Sequence, residues 1–170
     1  VSAASLMIKL DDGVVLGDLA GGARRFVKLP FAKPPIGQLR WKAPVPNAPW
    51  TGVRHETSFA AGCAQLADMG APASDNEDCL YLNVWAPASA QKAPVMVWIH
   101  GGGNFSGGAG IPIPQTDKLW YDGQVFAEKQ GIVVVSLQYR LGPLGFFSHP
   151  SLDEDGAPTG NQGLLVQRLA

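Results

Sequence analysis

A short apolar segment, residues 94–99, runs directly into His100 and three consecutive glycines, Gly101, Gly102 and Gly103. Glycine has no Cβ, so the backbone can turn sharply here and its N–H groups can point into an open space. Two N–H groups directed at one point stabilise a developing negative charge. This feature therefore predicts a buried strand that ends in an anion-binding turn.

The pattern around this segment predicts an α/β fold. Residues 80–85, 94–99 and 131–137 are strand-like, and the last two are apolar at nearly every position, as in strands buried on both faces of a mainly parallel sheet. Residues 121–130 lie between those two strands and are predicted to form a helix with Asp122 as N-cap. Strand, helix and strand together make a right-handed crossover unit.

The N-terminal part favours a separate small sheet. Residues 6–10 and 14–19 are apolar segments around Asp11-Asp12-Gly13, which is a hairpin signal, and residues 26–31 indicate a third strand. The proline-rich residues 32–52 are predicted to be an irregular connection. We expect a small N-terminal antiparallel sheet that leads into a doubly wound, mostly parallel central sheet.

The composition excludes several classes of function. The chain is 46% apolar and 16% charged with a formal net charge of −1, which is typical of a soluble globular protein. It has no Lys/Arg cluster that could follow a phosphate backbone, so no nucleic-acid partner is predicted. Its longest apolar run is about seven residues, well short of the roughly 18 of a transmembrane helix. No signal peptide is visible, as in a mature chain from which one has been removed.

Six motifs in order resemble the type-B carboxylesterase family, which contains carboxylesterases and cholinesterases. The resemblance covers nearly the whole chain and lies in residues 34–41 (PPIGQLRW), 49–52 (PWTG), 76–85 (NEDCLYLNVW), 97–103 (VWIHGGG), 139–146 (YRLGPLGF) and 160–165 (GNQGLL). It implies an incomplete α/β-hydrolase fold, with residues 1–170 as the N-terminal part of a single domain. The implied reaction is hydrolysis of a small-molecule ester through a serine acyl-enzyme, without a cofactor. Gly102 and Gly103 are the implied oxyanion-hole donors.

The nucleophile of such an enzyme is not in this sequence. Gly-x-Ser-x-Gly is absent, and residues 104–108 (NFSGG) lack the first glycine of that motif. The resemblance places the serine, the acid and the histidine of the triad beyond the helix that begins near Gly163, so a C-terminal remainder of the domain is the expected partner. Two alternatives stay open: a non-catalytic cholinesterase-like adhesion module and an inactive fragment of an esterase.

Cys63 and Cys79 are either two buried thiols or a disulfide that closes a loop of about 16 residues. The resemblance implies the disulfide, and with it an oxidising compartment, so we expect a secreted or periplasmic protein. It also implies a structural ion pair between Arg40 and Glu77. His100 is expected to support the glycine turn rather than act as a base, and no residue spacing fits a metal site.

Two departures from the family pattern are informative. The loop between the cysteines has no aromatic residue, whereas cholinesterases carry a tryptophan there that holds a quaternary ammonium; neutral esters are therefore favoured. Val166 stands where the family has an aspartate paired with the arginine that matches Arg140. Loss of one partner of a buried pair costs about 3–5 kcal/mol. We expect a substitute carboxylate, with Asp153, Glu154 and Asp155 nearest in sequence; an unpaired Arg140 and a degenerate end of the chain are the alternatives.

Overall fold

The computed structural model describes residues 6–68, 70–89, 92–113, 115–116, 119–153 and 160–170. The strands in these ranges are β1 Met7–Lys9, β2 Val14–Leu16, β3 Asp18–Ala20, β4 Ala23–Pro30, β5 Val53–His55, β6 Tyr81–Pro87, β7 Val95–Ile99 and β8 Val133–Leu137. The helices are α1 Gln124–Gln130, α2 Gly142–Phe146 and α3 Gln162–Leu169, with single 3₁₀ turns at Gly37–Leu39 and Pro150–Leu152. None of these described helices is long and apolar enough to cross a lipid bilayer.

The first sheet has three strands in the order β1-β2-β5. The predicted hairpin is confirmed, because β1 and β2 pair antiparallel around the Asp-Gly turn. The sheet is not wholly antiparallel, however, since β5 pairs parallel to β2. The long connection before β5 allows this, because a parallel partner has to return to the same end of the sheet. Trp50 anchors that connection by donating from Nε1 to the Val14 carbonyl oxygen, 3.1 Å away.

The second sheet has five strands in the order β3-β4-β6-β8-β7. The pairs β3–β4, β4–β6 and β6–β8 are antiparallel, and β7–β8 is parallel. The parallel pair is the predicted crossover unit, with α1 between its strands. Parallel pairing of the central sheet is confined to this pair in the described part of the chain, because each parallel neighbour needs its own crossover.

Strand β7 differs from its prediction. Its side chains are mostly exposed, for example 61% for Val95 and 56% for Val97. Strand β8, with a similar sequence, is largely buried. The difference is positional, since β8 lies between β6 and β7 whereas β7 is the edge strand among the described residues. An apolar sequence predicts that a strand is buried, but it does not predict which element covers the strand.

Helix α1 begins three residues later than predicted. Its N-cap is Gly123 rather than Asp122, although Asp122 still accepts the N–H of Gln124 at 2.9 Å. A Cβ at Gly123 would lie 2.8 Å from both Trp85 and Val134, so glycine allows the start of the helix to approach the sheet. The helix ends at Gln130 and is followed by Gly131, whose φ of 66° suits a left-handed C-cap.

Candidate functional site

The glycine turn follows the carboxyl end of β7. Gly102 and Gly103 have φ angles of 117° and 60°, in the region that favours glycine. A Cβ on Gly102 would lie 1.9 Å from the backbone oxygen of Ser106, so no side chain fits there. The Gly102 carbonyl accepts the N–H groups of Phe105 and Ser106, both at 3.1 Å, which closes the turn.

The amides of this turn remain available to a ligand. Neither the Gly102 N–H nor the Gly103 N–H donates to any residue in the described ranges. Gly103 is exposed and Gly102 is half-buried. Two unsatisfied N–H donors on adjacent residues can stabilise an oxyanion placed between them.

His100 lies beneath the turn and supports it. It is 2% exposed, and its Nδ1 lies 2.9 Å from the Gly101 carbonyl oxygen, which makes Nδ1 the protonated nitrogen. Its ring stacks on Tyr139 at a centroid distance of 4.5 Å, and the Tyr139 hydroxyl donates to the His100 carbonyl at 3.0 Å. These contacts agree with the supporting role expected of His100.

The segment between the two cysteines braces the turn from the other side. Cys63 and Cys79 form a disulfide with a Cα–Cα distance of 5.0 Å. Within the loop that it closes, the Gln65 side-chain amide both accepts from the Gly107 N–H and donates to the Gly107 carbonyl, each at 2.7 Å. The Ser106 hydroxyl donates to Asp68 Oδ2 at 2.9 Å. The disulfide loop and the glycine turn therefore form one hydrogen-bonded unit.

Ser106 is not placed to act as a nucleophile. It is 2% exposed, and its hydroxyl is bonded to Asp68 rather than to a histidine. A nucleophilic serine needs a base within hydrogen-bond reach. The position of Ser106 agrees with the missing first glycine of the nucleophile motif.

Two cavities adjoin the turn, one at Gly102 and the other at Gly103. One, of about 210 Å³, is lined by Asp68, Gly101, Gly102, Trp120 and Tyr121 among others. The other, a more open cavity of about 460 Å³, is lined by Gly103, Phe105, Phe146 and Phe147 among others. A group held at the Gly102 and Gly103 amides would thus have an open space on each side.

Comparison with known proteins identifies the family. The sequence profile described as the carboxylesterase family matches residues 4–170. The chain belongs to the carboxylesterase family. A fumonisin B1 esterase of Sphingopyxis macrogoltabida is 44% identical over 160 residues, which are 90% of this chain and 28% of that protein. Acetylcholinesterase of Bungarus fasciatus is 41% identical over 170 residues, covering 93% of this chain and 26% of that enzyme.

Solved structures agree on the α/β-hydrolase fold. A PNB esterase superposes with a TM-score of 0.85 at 38% identity, covering 97% of this chain and 33% of the esterase. A thermophilic PNB esterase gives a TM-score of 0.84 at the same identity of 38%. The chain spans between a quarter and a third of the length of these relatives. The predicted family and fold class are therefore confirmed.

Arg40 and Glu77, the predicted ion pair of this carboxylesterase-family chain, make no hydrogen bond to the glycine turn in the described residues. Arg40 Nε donates to Glu77 Oε2 at 2.7 Å, and a second bond joins Nη2 to Oε1. Asp78 faces elsewhere and accepts the Tyr81 hydroxyl at 2.9 Å. Arg40 is well exposed, so the pair positions the proline-rich connection more than it stabilises the fold. Among the described residues, no group of three His, Cys, Asp or Glu could hold a metal ion.

Sequence reasoning missed Gln65 and Asp68. Both lie in a short polar loop, where amide and carboxylate side chains are commonly exposed to solvent. Their residue types therefore did not predict a contact with the glycine turn. Their partners, Gly107 and Ser106, are 42 and 38 residues away in sequence. The expected disulfide was the one sequence feature that could have indicated these contacts, since it holds the start of this loop against the core.

Protonation of His100 should weaken the fold. Burial lowers the pKa of His100, and the hydrogen bond to the Gly101 carbonyl opposes this shift less strongly. The unfolded state then binds the proton more tightly, so stability should fall as pH drops below about 6.5, by at most about 1.4 kcal/mol per pH unit.

His100→Asn retains a donor near Nδ1 and should flatten this slope in chemical denaturation from pH 5 to 8. The exposed His55→Asn is the control and should keep it. Equal slopes in His100→Asn and the parent would contradict the prediction.

Proposed function

We propose that the full-length protein hydrolyses carboxylic esters through a serine acyl-enzyme and that this chain supplies its oxyanion hole. One observation carries the proposal: adjacent amides of Gly102 and Gly103 are unsatisfied within the described residues, in a turn that admits no Cβ at Gly102. Membership of the carboxylesterase family supports ester hydrolysis as the reaction in which this turn takes part.

The amides act on the carbonyl oxygen of the ester. Attack of the serine on the carbonyl carbon moves an electron pair onto that oxygen, and the tetrahedral oxyanion accepts the two N–H hydrogen bonds. The oxygen re-forms its double bond as the alcohol leaves, and water then repeats the sequence on the acyl-enzyme. Because Gln65, Asp68 and His100 hold the turn, the donors are in position before charge develops.

The surroundings of the turn support small, neutral esters as substrates. The two cavities that adjoin Gly102 and Gly103 could take the acyl and alcohol parts of one ester. The loop from Cys63 to Cys79 contains no aromatic side chain that would hold a quaternary ammonium. We propose a secreted or periplasmic location, which the disulfide supports.

Labelling of the nucleophile tests the proposal. The full-length protein should hydrolyse p-nitrophenyl acetate and lose activity on reaction with one equivalent of a serine-directed fluorophosphonate. Peptide mass mapping should place the adduct outside residues 1–170, and a protein of residues 1–170 should show no turnover. An adduct on Ser106, or turnover by residues 1–170 that the reagent inhibits, would contradict this assignment. A folded full-length protein that neither turns over esters nor reacts would support the adhesion module instead.

A further inference from the structure

Asn104 adds a polar side chain to the open cavity that adjoins Gly103. The walls of this cavity, which we call the phenylalanine cavity, are Gly103, Asn104, Phe105, Gly142, Pro143, Phe146 and Phe147. Among these described wall residues, Asn104 alone has a side chain that forms hydrogen bonds. Apolar walls with one placed polar group are typical of a site that binds and orients a small molecule.

The backbone holds Asn104 next to the proposed oxyanion donors. Gly103 and Asn104 are the central residues of a four-residue turn, which closes where the Phe105 N–H donates to the Gly102 carbonyl at 3.1 Å. The Asn104 carbonyl accepts the Gly142 N–H at 2.7 Å, which ties the turn to the start of α2. The Asn104 side chain therefore starts from a fixed point, with its Cα about 3.8 Å from that of Gly103.

Backbone conformation explains an asparagine at this position only in part. Gly103 and Asn104 have φ angles of 60° and 66°, which asparagine tolerates and which glycine adopts without steric cost. The Asn104 side chain is exposed, and its amide makes no hydrogen bond within the described ranges. The amide neither closes nor braces the turn, so it is available to a substrate in the phenylalanine cavity.

We propose that Asn104 is a specificity-determining residue that selects esters with a hydroxyl group on the part that occupies the phenylalanine cavity. The inference rests on the proposed function, because it requires the ester carbonyl to lie at the Gly102 and Gly103 amides. The side-chain amide both donates and accepts, as a hydroxyl group does, so the two can pair in either direction. A methyl group in place of that hydroxyl displaces water from the amide and offers no hydrogen bond in return.

Two pairs of achiral esters test the proposal in the full-length protein. Methyl 3-hydroxypropanoate and methyl butanoate differ by hydroxyl against methyl in the acyl part, and 2-hydroxyethyl acetate and propyl acetate differ in the same way in the alcohol part. For each pair, pH-stat titration gives the ratio of kcat/KM for the hydroxyl ester to kcat/KM for the methyl ester. Asn104→Gly removes the amide and suits the positive φ, so it should lower this ratio in at least one pair by roughly 3–10-fold, the value of a single neutral hydrogen bond. The pair that responds identifies the part of the ester that occupies the cavity.

Two further variants separate recognition of the hydroxyl from packing in the cavity. Asn104→Asp also suits a positive φ and still accepts from a hydroxyl group, so it should keep the preference for the hydroxyl ester. Phe147→Ala widens the cavity and should lower kcat/KM for both esters of the responding pair without changing their ratio. The assignment to Asn104 would be overturned if Phe147→Ala lowered the ratio as much as Asn104→Gly, or if the Asp and Gly variants at position 104 lost it equally.

The same assays distinguish failure of this inference from failure of the proposed function. If the parent protein hydrolyses p-nitrophenyl acetate but Asn104→Gly leaves both ratios unchanged, Asn104 serves the turn alone and the inference is wrong. A folded parent protein that hydrolyses neither these esters nor p-nitrophenyl acetate would contradict the proposed function itself.

Discussion

Gly102→Ala is expected to lower kcat of the full-length enzyme by roughly 10²–10³, the usual cost of losing an oxyanion-hole donor. The new Cβ would lie 1.9 Å from the Ser106 backbone oxygen, and φ at this position is 117°. Relief of that clash has to rotate the peptide units of the turn, which moves both N–H donors away from the carbonyl oxygen. Because the donors act in the transition state, the loss should fall on kcat more than on KM.

Neighbouring glycines provide graded controls. Gly101→Ala is the matched control, because its Cβ would meet nothing within 4 Å, and near-normal kcat is expected. Gly103→Val should also lower kcat by roughly 10²–10³, since φ is 60° and the new Cβ would lie 2.6 Å from the exposed Phe105 ring. Circular dichroism and Tm establish that each variant is folded. A folded Gly102→Ala enzyme with kcat near that of Gly101→Ala would place the oxyanion hole elsewhere.

Removal of the disulfide by Cys63→Ala with Cys79→Ala is expected to cost about 3 kcal/mol of unfolding free energy. The bridge closes a loop across a sequence separation of 16, so its loss adds freedom to the unfolded chain. Activity should fall as well, because Gln65 and Asp68 brace the glycine turn from inside that loop. Chemical denaturation and p-nitrophenyl acetate kinetics measure the two effects.

Reductant distinguishes the bridge from simple packing by the two side chains. Dithiothreitol should lower the stability of the parent protein and leave that of the double variant unchanged. Alkylation of both cysteines in the native, unreduced protein, or equal denaturation midpoints for parent and variant, would contradict a stabilising bridge.

Most of the fold class was readable because its signals are local. The hairpin at Asp11–Gly13, the crossover from β7 through α1 to β8 and the strand that ends in three glycines each depend on neighbouring residues. Local signals were weaker at boundaries: α1 starts at Gln124 because close packing against Trp85 favours Gly123 as its N-cap. They also failed for β7, since exposure is set by neighbouring elements rather than by a strand's own composition.

The candidate site shows the same distinction between what the sequence predicts and what the tertiary structure decides. The sequence by itself determined the family, through motifs spread along the chain, and pointed to Gly102 and Gly103 because backbone turns of this kind need glycine. Only the tertiary structure decided that Gly102 admits no Cβ, that Gln65 and Asp68 brace the turn, and that Arg140 is buried without a described counterion. Residue type and spacing set local backbone preferences, whereas contacts across dozens of residues depend on how the sheets and loops pack together. Val166 was already a departure from the family pattern in the sequence, and the structure adds that the buried Arg140 guanidinium contacts the helix that carries it.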